Sequence, residues 1–308
     1  MDTAAGLVAG ETLVDLFPEG ETLTAGGFRH RPGGAPANVA VALARLGPAP
    51  DFYTRLADDD FGRFLRDTLD DEGIPKKHVR EVPGKTALAV VTPGPDGERS
   101  FSFYEPETAL AFDPRRIEPD GYDWLAFGGV ALTNESGREA LCSLAERTTG
   151  TVFFDPNARV DLWADERSTL AAYRRALAAT DVLVASVEDL VAFGVDPERA
   201  AAHPETVAAE LRERGPEAVF LTRGADGAVG TTDSGTARVP AFDVDALDTT
   251  GAGDAFTAGV VARYEPGAAL PETLRYASAV AALTTTAEGA MAALPGPEPV
   301  ARLLEGGR

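Results

Sequence analysis

Along this chain, short apolar runs rich in β-formers alternate with longer stretches whose apolar residues recur every three or four positions. The β-rich runs include LVAGETLVDL, TALAVVT, SFSFY, WLAFGG, VFFDP, DVLVAS and AVFLTR. Between them, APANVAVALARLG, FGRFLRDTLDDEG, LAAYRRALAAT and ETVAAELRERG carry the helical period. Strands alternating with helices predict an α/β fold with a mostly parallel sheet covered on both faces. From about residue 122 the alternation reads as regular. Before it, the segments near 11–32 and 86–104 do not fit helical crossovers. KTALAVVTPGPDGERSFSFYE reads as a hairpin turning through Pro93 to Gly97. A small β-flap built from about 11–32 and 86–104, on one edge of a single domain spanning 1–308, accounts for both segments. The LPGPEP stretch near the end reads as a tail rather than a second domain.

Composition narrows the function classes. With 308 residues and 44% hydrophobic content, the chain can bury a substantial core and is not a disordered one. No apolar run reaches the ~18 residues that a membrane span needs. The start, MDTAAGLVAGETLVDLF, lacks the basic opening and long apolar stretch of a signal peptide. Cys142 is the only cysteine, so neither an intrachain disulfide nor a thiolate metal cluster forms, and a reducing cytoplasm is expected. Lys plus Arg is 28 against 49 for Asp plus Glu, a net charge of −21. That field disfavours nucleic acid and anionic membrane as partners, because both need a basic footprint. It also penalises compaction in dilute buffer, which salt screens, and so points to a salt-rich, halophilic cytoplasm.

The candidate chemistry is concentrated in VDALDTTGAGDAFTAGVV, residues 244–261. Gly251, Ala252 and Gly253 would present backbone N–H groups at the start of a helix running to about residue 263, a hole suited to the charge on a transferring phosphoryl group. Asp254 follows where it could accept a proton from an attacking hydroxyl. Glycine loops also simply turn a chain, and Asp is common in a first helical turn, so these letters alone leave both readings open. A Walker loop is excluded, since no lysine lies after residue 85. The dinucleotide pattern fails because Phe256 stands where its third glycine belongs. His30, His78 and His203 lack ligand spacing and read as ordinary surface or core histidines.

DTTGAGDAFTAG resembles the C-terminal signature of the ribokinase-like, phosphofructokinase-B-type sugar kinases, and GGAPANVAVALARLG at 33–47 resembles their N-terminal one. Two long signatures in the right order are far more specific than either alone, and the likeness covers nearly the whole chain. It implies a three-layer α/β/α sandwich with a β-flap as lid, and transfer of the γ-phosphate of ATP to a sugar hydroxyl with Mg²⁺. It makes Asp254 the base. By the same resemblance Asp15, Gly33, Gly34 and Asn38 contact the sugar, and Phe101 and Phe103 of the flap cover it or pack. Within DPNARVDLW, Asn157 and Arg159 lie near the transferred phosphate or the sugar. Ser186 and Asp189 stand in for a pattern that helps hold Mg²⁺ and phosphate, often through water, with Asp one methylene short of the usual Glu. Thr222, Gly224 and Gly227 would line the ATP site, Ser278 would lie near the adenine, and Asp248 would bear on a bound monovalent cation such as K⁺. Dimers through exposed flap edges are common in this family.

The flap is the best source of acceptor specificity. It looks most like that of bacterial fructokinases and 2-keto-3-deoxygluconate kinases. The latter commonly carry Arg after the flap tyrosine, whereas here Tyr104 is followed by Glu105, which would repel a sugar acid, although Arg159 could supply the missing charge. A neutral hexose, fructose first, is therefore expected, with 2-keto-3-deoxygluconate second. A non-catalytic paralogue that binds sugar or nucleotide and regulates a partner is the alternative of another class, and the intact GAGD argues against it.

Overall fold

Gly10 ends the first strand because nothing larger fits there. Its φ is +153°, and a Cβ on it would lie 2.3 Å from Pro36. The run LVAGETLVDL, continuous in its apolar pattern, is therefore two strands in two different sheets. The computed structural model describes residues 5–20, 26–93, 99–104, 107–113 and 117–306; the hairpin turn at 94–98 and Glu105 lie outside these.

The chain begins with β1 (Gly6–Ala9), β2 (Leu13–Pro18), β3 (Phe28–Gly33), α1 (Ala35–Leu46), β4 (Asp51–Ala57), α2 (Asp60–Asp71) and β5 (Val79–Val82). Next come β6 (Leu88–Pro93), β7 (Arg99–Tyr104), α3 (Glu107–Leu110), β8 (Trp124–Gly128), α4 (Glu135–Arg147) and β9 (Thr151–Asp155). Then follow α5 (Glu166–Ala178), β10 (Val182–Ser186), α6 (Pro197–Ala202), α7 (Pro204–Arg212) and β11 (Ala218–Thr222). The rest is β12 (Ala228–Thr232), β13 (Gly235–Val239), α8 (Ala252–Arg263), α9 (Leu270–Thr284), α10 (Ala290–Ala293) and α11 (Pro297–Gly306).

Nine strands form the main sheet in the order β13-β12-β11-β10-β9-β8-β1-β4-β5. Every pair from β5 to β11 is parallel, whereas β11-β12 and β12-β13 are antiparallel. The alternation expected from residue 122 onward thus stops at Thr222. Its last strand turns back through a hairpin that the apolar pattern did not announce, because β13 is a largely exposed edge strand. The LPGPEP tail opens α11, whose Val300 is buried against the core.

The two faces of the sheet bury separate cores, and the period of two along each strand assigns the residues. Phe154 and Val152 face the core under α4, α5 and α7, while Phe153 between them faces the one under α1, α8 and α9. Burial on both faces is what parallel strands need. Helix α8 is apolar almost all round because α1 and α9 enclose it. Gly259 permits that contact, since a Cβ there would lie 2.6 Å from the Ala277 Cα. A second, four-stranded sheet, β3-β2-β6-β7, stands over one end of the main sheet. Among the described residues no helix is long and apolar enough to cross a membrane.

Candidate active site

Strand order reverses at β1, which leads to β4 on one side while β8 lies on the other. In open α/β sheets a crevice forms at such a point, outside the carboxyl ends of the strands. Here it is a cavity of about 530 Å³ whose walls include Glu11 after β1, Asp155 at the end of β9, Ser186 ending β10 and Thr222 ending β11. The flap contributes Leu13, Asp15, Phe101 and Phe103. The start of α8 closes the other side with Thr249, Thr250, Gly251, Gly253 and Asp254.

The helix start is shaped by its glycines. Gly251 is the N-cap of α8 at φ 80°, and a Cβ there would lie 2.6 Å from that of Ala290. Around Gly253 nothing lies within 4 Å of an added Cβ, so its backbone is open to an incoming group. No side chain caps this helix start; the Ala252 N–H turns back to the Thr249 carbonyl at 3.2 Å, while Gly251 and Gly253 border the cavity where an anion can approach. Asp254 itself is buried, 6% exposed. Its Oδ2 accepts from Asn38 Nδ2 at 2.7 Å and its Oδ1 from Asn157 Nδ2 at 3.1 Å. Burial pushes its pKa up to about 6, opposed by the Asn38 bond and the Arg159 charge. That value suits a base working near neutral pH.

The residues expected to contact sugar gather opposite. Gly33 leaves room for Asp15, whose Oδ2 would lie 2.3 Å from a Cβ at that position. Gly34, at φ 101°, starts α1 with no side-chain cap and lines the cavity with Asn38. The Asn38 Oδ1 atom is buried without a partner, so that amide still lacks a donor. Arg159 stands 5.3 Å over the Phe101 ring and donates from Nη1 to the Asn157 and Ala158 carbonyls.

Asp189 is held by three donors. Its Oδ1 accepts from the Ala158 N–H at 2.6 Å, and its Oδ2 accepts from the Ser186 N–H at 3.1 Å and hydroxyl at 2.7 Å. Placed so, it ties the 157–159 loop to the end of β10. Asp248 likewise accepts from the N–H groups of Thr250 and Gly289, bracing the loop before α8. Gly33, Ala252 and Asp248 are next to cavity-lining residues without lining the cavity themselves. Gly224 and Gly227 form the turn after β11, outside the cavity wall, where a Cβ on Gly227 would strike the Val239 carbonyl at 2.1 Å. Ser278 is buried within α9 and does not line the cavity. None of the histidines lines the cavity.

Sequence reasoning missed two acids. Glu11 is buried and its Oε2 has no partner; burial pushes its pKa up to about 7. Asp155 holds Asn157 and Thr257. The signal was their position, each an acid where a buried parallel strand ends.

An anion-binding helix start, a buried carboxylate beside it and a lidded polar cavity define a small-molecule phosphotransferase. Residues 7–297 match the pfkB family of carbohydrate kinases, and the chain belongs to that family. It is 38% identical over 301 residues to a fructokinase of Klebsiella pneumoniae, covering 94% of this chain and 95% of that one. Its fold is similar to the crystal structure of fructokinase with bound ATP from Xylella fastidiosa, at TM-score 0.84, 30% identity and coverage of 97% and 98%. It is also similar to a mutant fructokinase from Vibrio cholerae with fructose, ADP and potassium ion bound, at TM-score 0.82, 30% identity and 99% of each chain. The fold is ribokinase-like, and the enzyme is an ATP-dependent sugar kinase.

Proposed function

We propose that the acceptor is a neutral hexose, fructose before others. The observation that carries this reading is the buried carboxylate of Asp254 between two amides at the floor of an acid-rich, flap-covered cavity. Glu11, Asp15, Asp155, Glu188, Asp189 and Asp254 line it, against Arg159 as its cation among the described residues. Such a field favours hydroxyls, which donate to carboxylates, over a sugar acid. The fructokinase relatives support the same choice.

In this reading the sugar lies between flap and sheet against Asp15, Gly33, Gly34 and Asn38, under Phe101 and Phe103. Its attacking hydroxyl gives its proton to Asp254 as the γ-phosphorus of ATP is met. The N–H groups of 251–253 take the charge on the phosphoryl oxygens. Arg159 and Asn157 flank that charge, and Ser186, Thr222, Gly224 and Gly227 lie toward the nucleotide. Mg²⁺ accompanies the ATP phosphates in such kinases and offsets their charge. Asp189 already takes three donors, so its contact to that ion goes through water. Asp248 is the carboxylate nearest a K⁺ role, as the Vibrio cholerae enzyme has potassium bound. Flap closure excludes water and limits wasteful hydrolysis of ATP. A reducing, salt-rich cytoplasm and a dimer through the flap edges complete the reading.

The test is coupled ADP release in molar KCl across fructose, ribose and 2-keto-3-deoxygluconate. Fructose should give the highest kcat/KM. A higher value for the sugar acid would overturn the assignment.

A further inference from the structure

Asp155 ends β9 on the cavity wall and takes no part in the chemistry assigned above. Its Oδ1 accepts from the backbone N–H of Asn157 at 3.1 Å, and its Oδ2 accepts from the Thr257 hydroxyl at 2.7 Å. Both partners bear on the base. The Asn157 side chain donates to Asp254 Oδ1 at 3.1 Å. Thr257 follows Asp254 by three positions in α8, and such residues share a helix face. Asn157 is also the sole described non-glycine residue at positive φ, 36°. That conformation costs on the order of 1 kcal/mol and persists only where its surroundings hold it.

We propose that Asp155 is a positioning residue for Asp254: one of its oxygens locks the left-handed backbone of Asn157 and the other locks the first turns of α8, so that amide and base meet. The inference rests on the kinase reading of Asp254.

Charge fits the same role. The ionisable groups around this part of the cavity are Asp254 on α8, Asp189 after β10, Glu11 after β1 and Arg159 on the loop after β9. Burial, and then the charges of Asp254 and Asp189, hold the Asp155 pKa well above the usual carboxylate range. Asp155 therefore holds its proton more tightly than a free carboxyl does. An amide would serve as well: asparagine would accept from the Asn157 N–H and donate to the Thr257 hydroxyl, which rotates to receive it.

Steady-state kinetics of Asp155→Ala, Asp155→Asn and Thr257→Val on the sugar that the unaltered enzyme phosphorylates test this. Asp155→Ala should lower kcat about 50-fold or more with both KM values within about 3-fold, because misplacing the base by ~1 Å costs about that much. Asp155→Asn should recover most of the loss, to within about 5-fold of the unaltered enzyme. Thr257→Val, which changes one hydroxyl in a packed helix, should cut kcat about 5–20-fold with KM unchanged, and serves if Asp155→Ala does not fold. An Asp155→Asn enzyme as inactive as Asp155→Ala, or an Asp155→Ala enzyme of normal kcat, would each overturn the proposal alone. Absence of turnover by the unaltered enzyme on every sugar would remove the reading of Asp254 and this proposal with it.

Discussion

The side-chain amide of Asn38 donates to the carboxylate of Asp254 at 2.7 Å, joining residues 216 positions apart. The bond links the start of α1 to the start of α8, and both helices point uncapped N-termini at one cavity. In the proposed reaction that contact joins the sugar-binding end of α1 to the base.

Removing the base should remove the reaction. Asp254→Asn keeps shape but accepts no proton, and general-base loss costs about 10²–10⁴ in rate. The expected outcome is a kcat lower by that factor with the KM for ATP changed by less than about 3-fold. Coupled ADP release measures both, and a near-normal kcat would refute the assignment.

The pH profile should report the base. The proposed base acts in its ionised form, so kcat/KM should rise with pH through about 6. The Asn38 bond stabilises the charged form, so Asn38→Ala should move this limb to higher pH. A limb that stays or moves down would separate the two residues.

Glu11 should make folding pH-sensitive. Its carboxyl holds a proton more tightly when folded, with a pKa raised from 4.5 to about 7. Its favourable contribution is complete below about 4.5 and is lost as pH rises through 7. The difference amounts to about 3 kcal/mol. Glu11→Gln should therefore be more stable than the unaltered protein at pH 8, with little difference at pH 5, as urea midpoints would show.

Gly251 should tolerate no side chain. At φ 80°, with Ala290 2.6 Å from a Cβ, Gly251→Ala meets both strain and a clash. A loss of about 1–3 kcal/mol in unfolding free energy is expected, together with reduced kcat. Chemical denaturation and turnover measured on one preparation test it.

Salt should stabilise this chain. Its net charge of −21 repels itself, and screening relieves that repulsion. The urea midpoint should rise from low to molar KCl, and a flat or falling midpoint would contradict the halophilic reading.

The two signature stretches, the alternation of strands with helices and the acidic balance were all legible in the residues alone. These are local or additive properties: periodicity belongs to a single element, and net charge is a sum. The apolar pattern alone runs unbroken through Gly10, where the structure divides it between two sheets. It was silent on β12 and β13, whose edge position needs little apolar alternation. Only tertiary structure set Asn38 and Asn157 on either side of Asp254, turned Asp189 into a brace, buried Glu11 and placed Asp155 between Asn157 and Thr257. Desolvation and hydrogen bonding depend on neighbours brought from distant parts of the chain, so the proton affinity of a carboxylate is decided where strands end together, not by its place in the sequence.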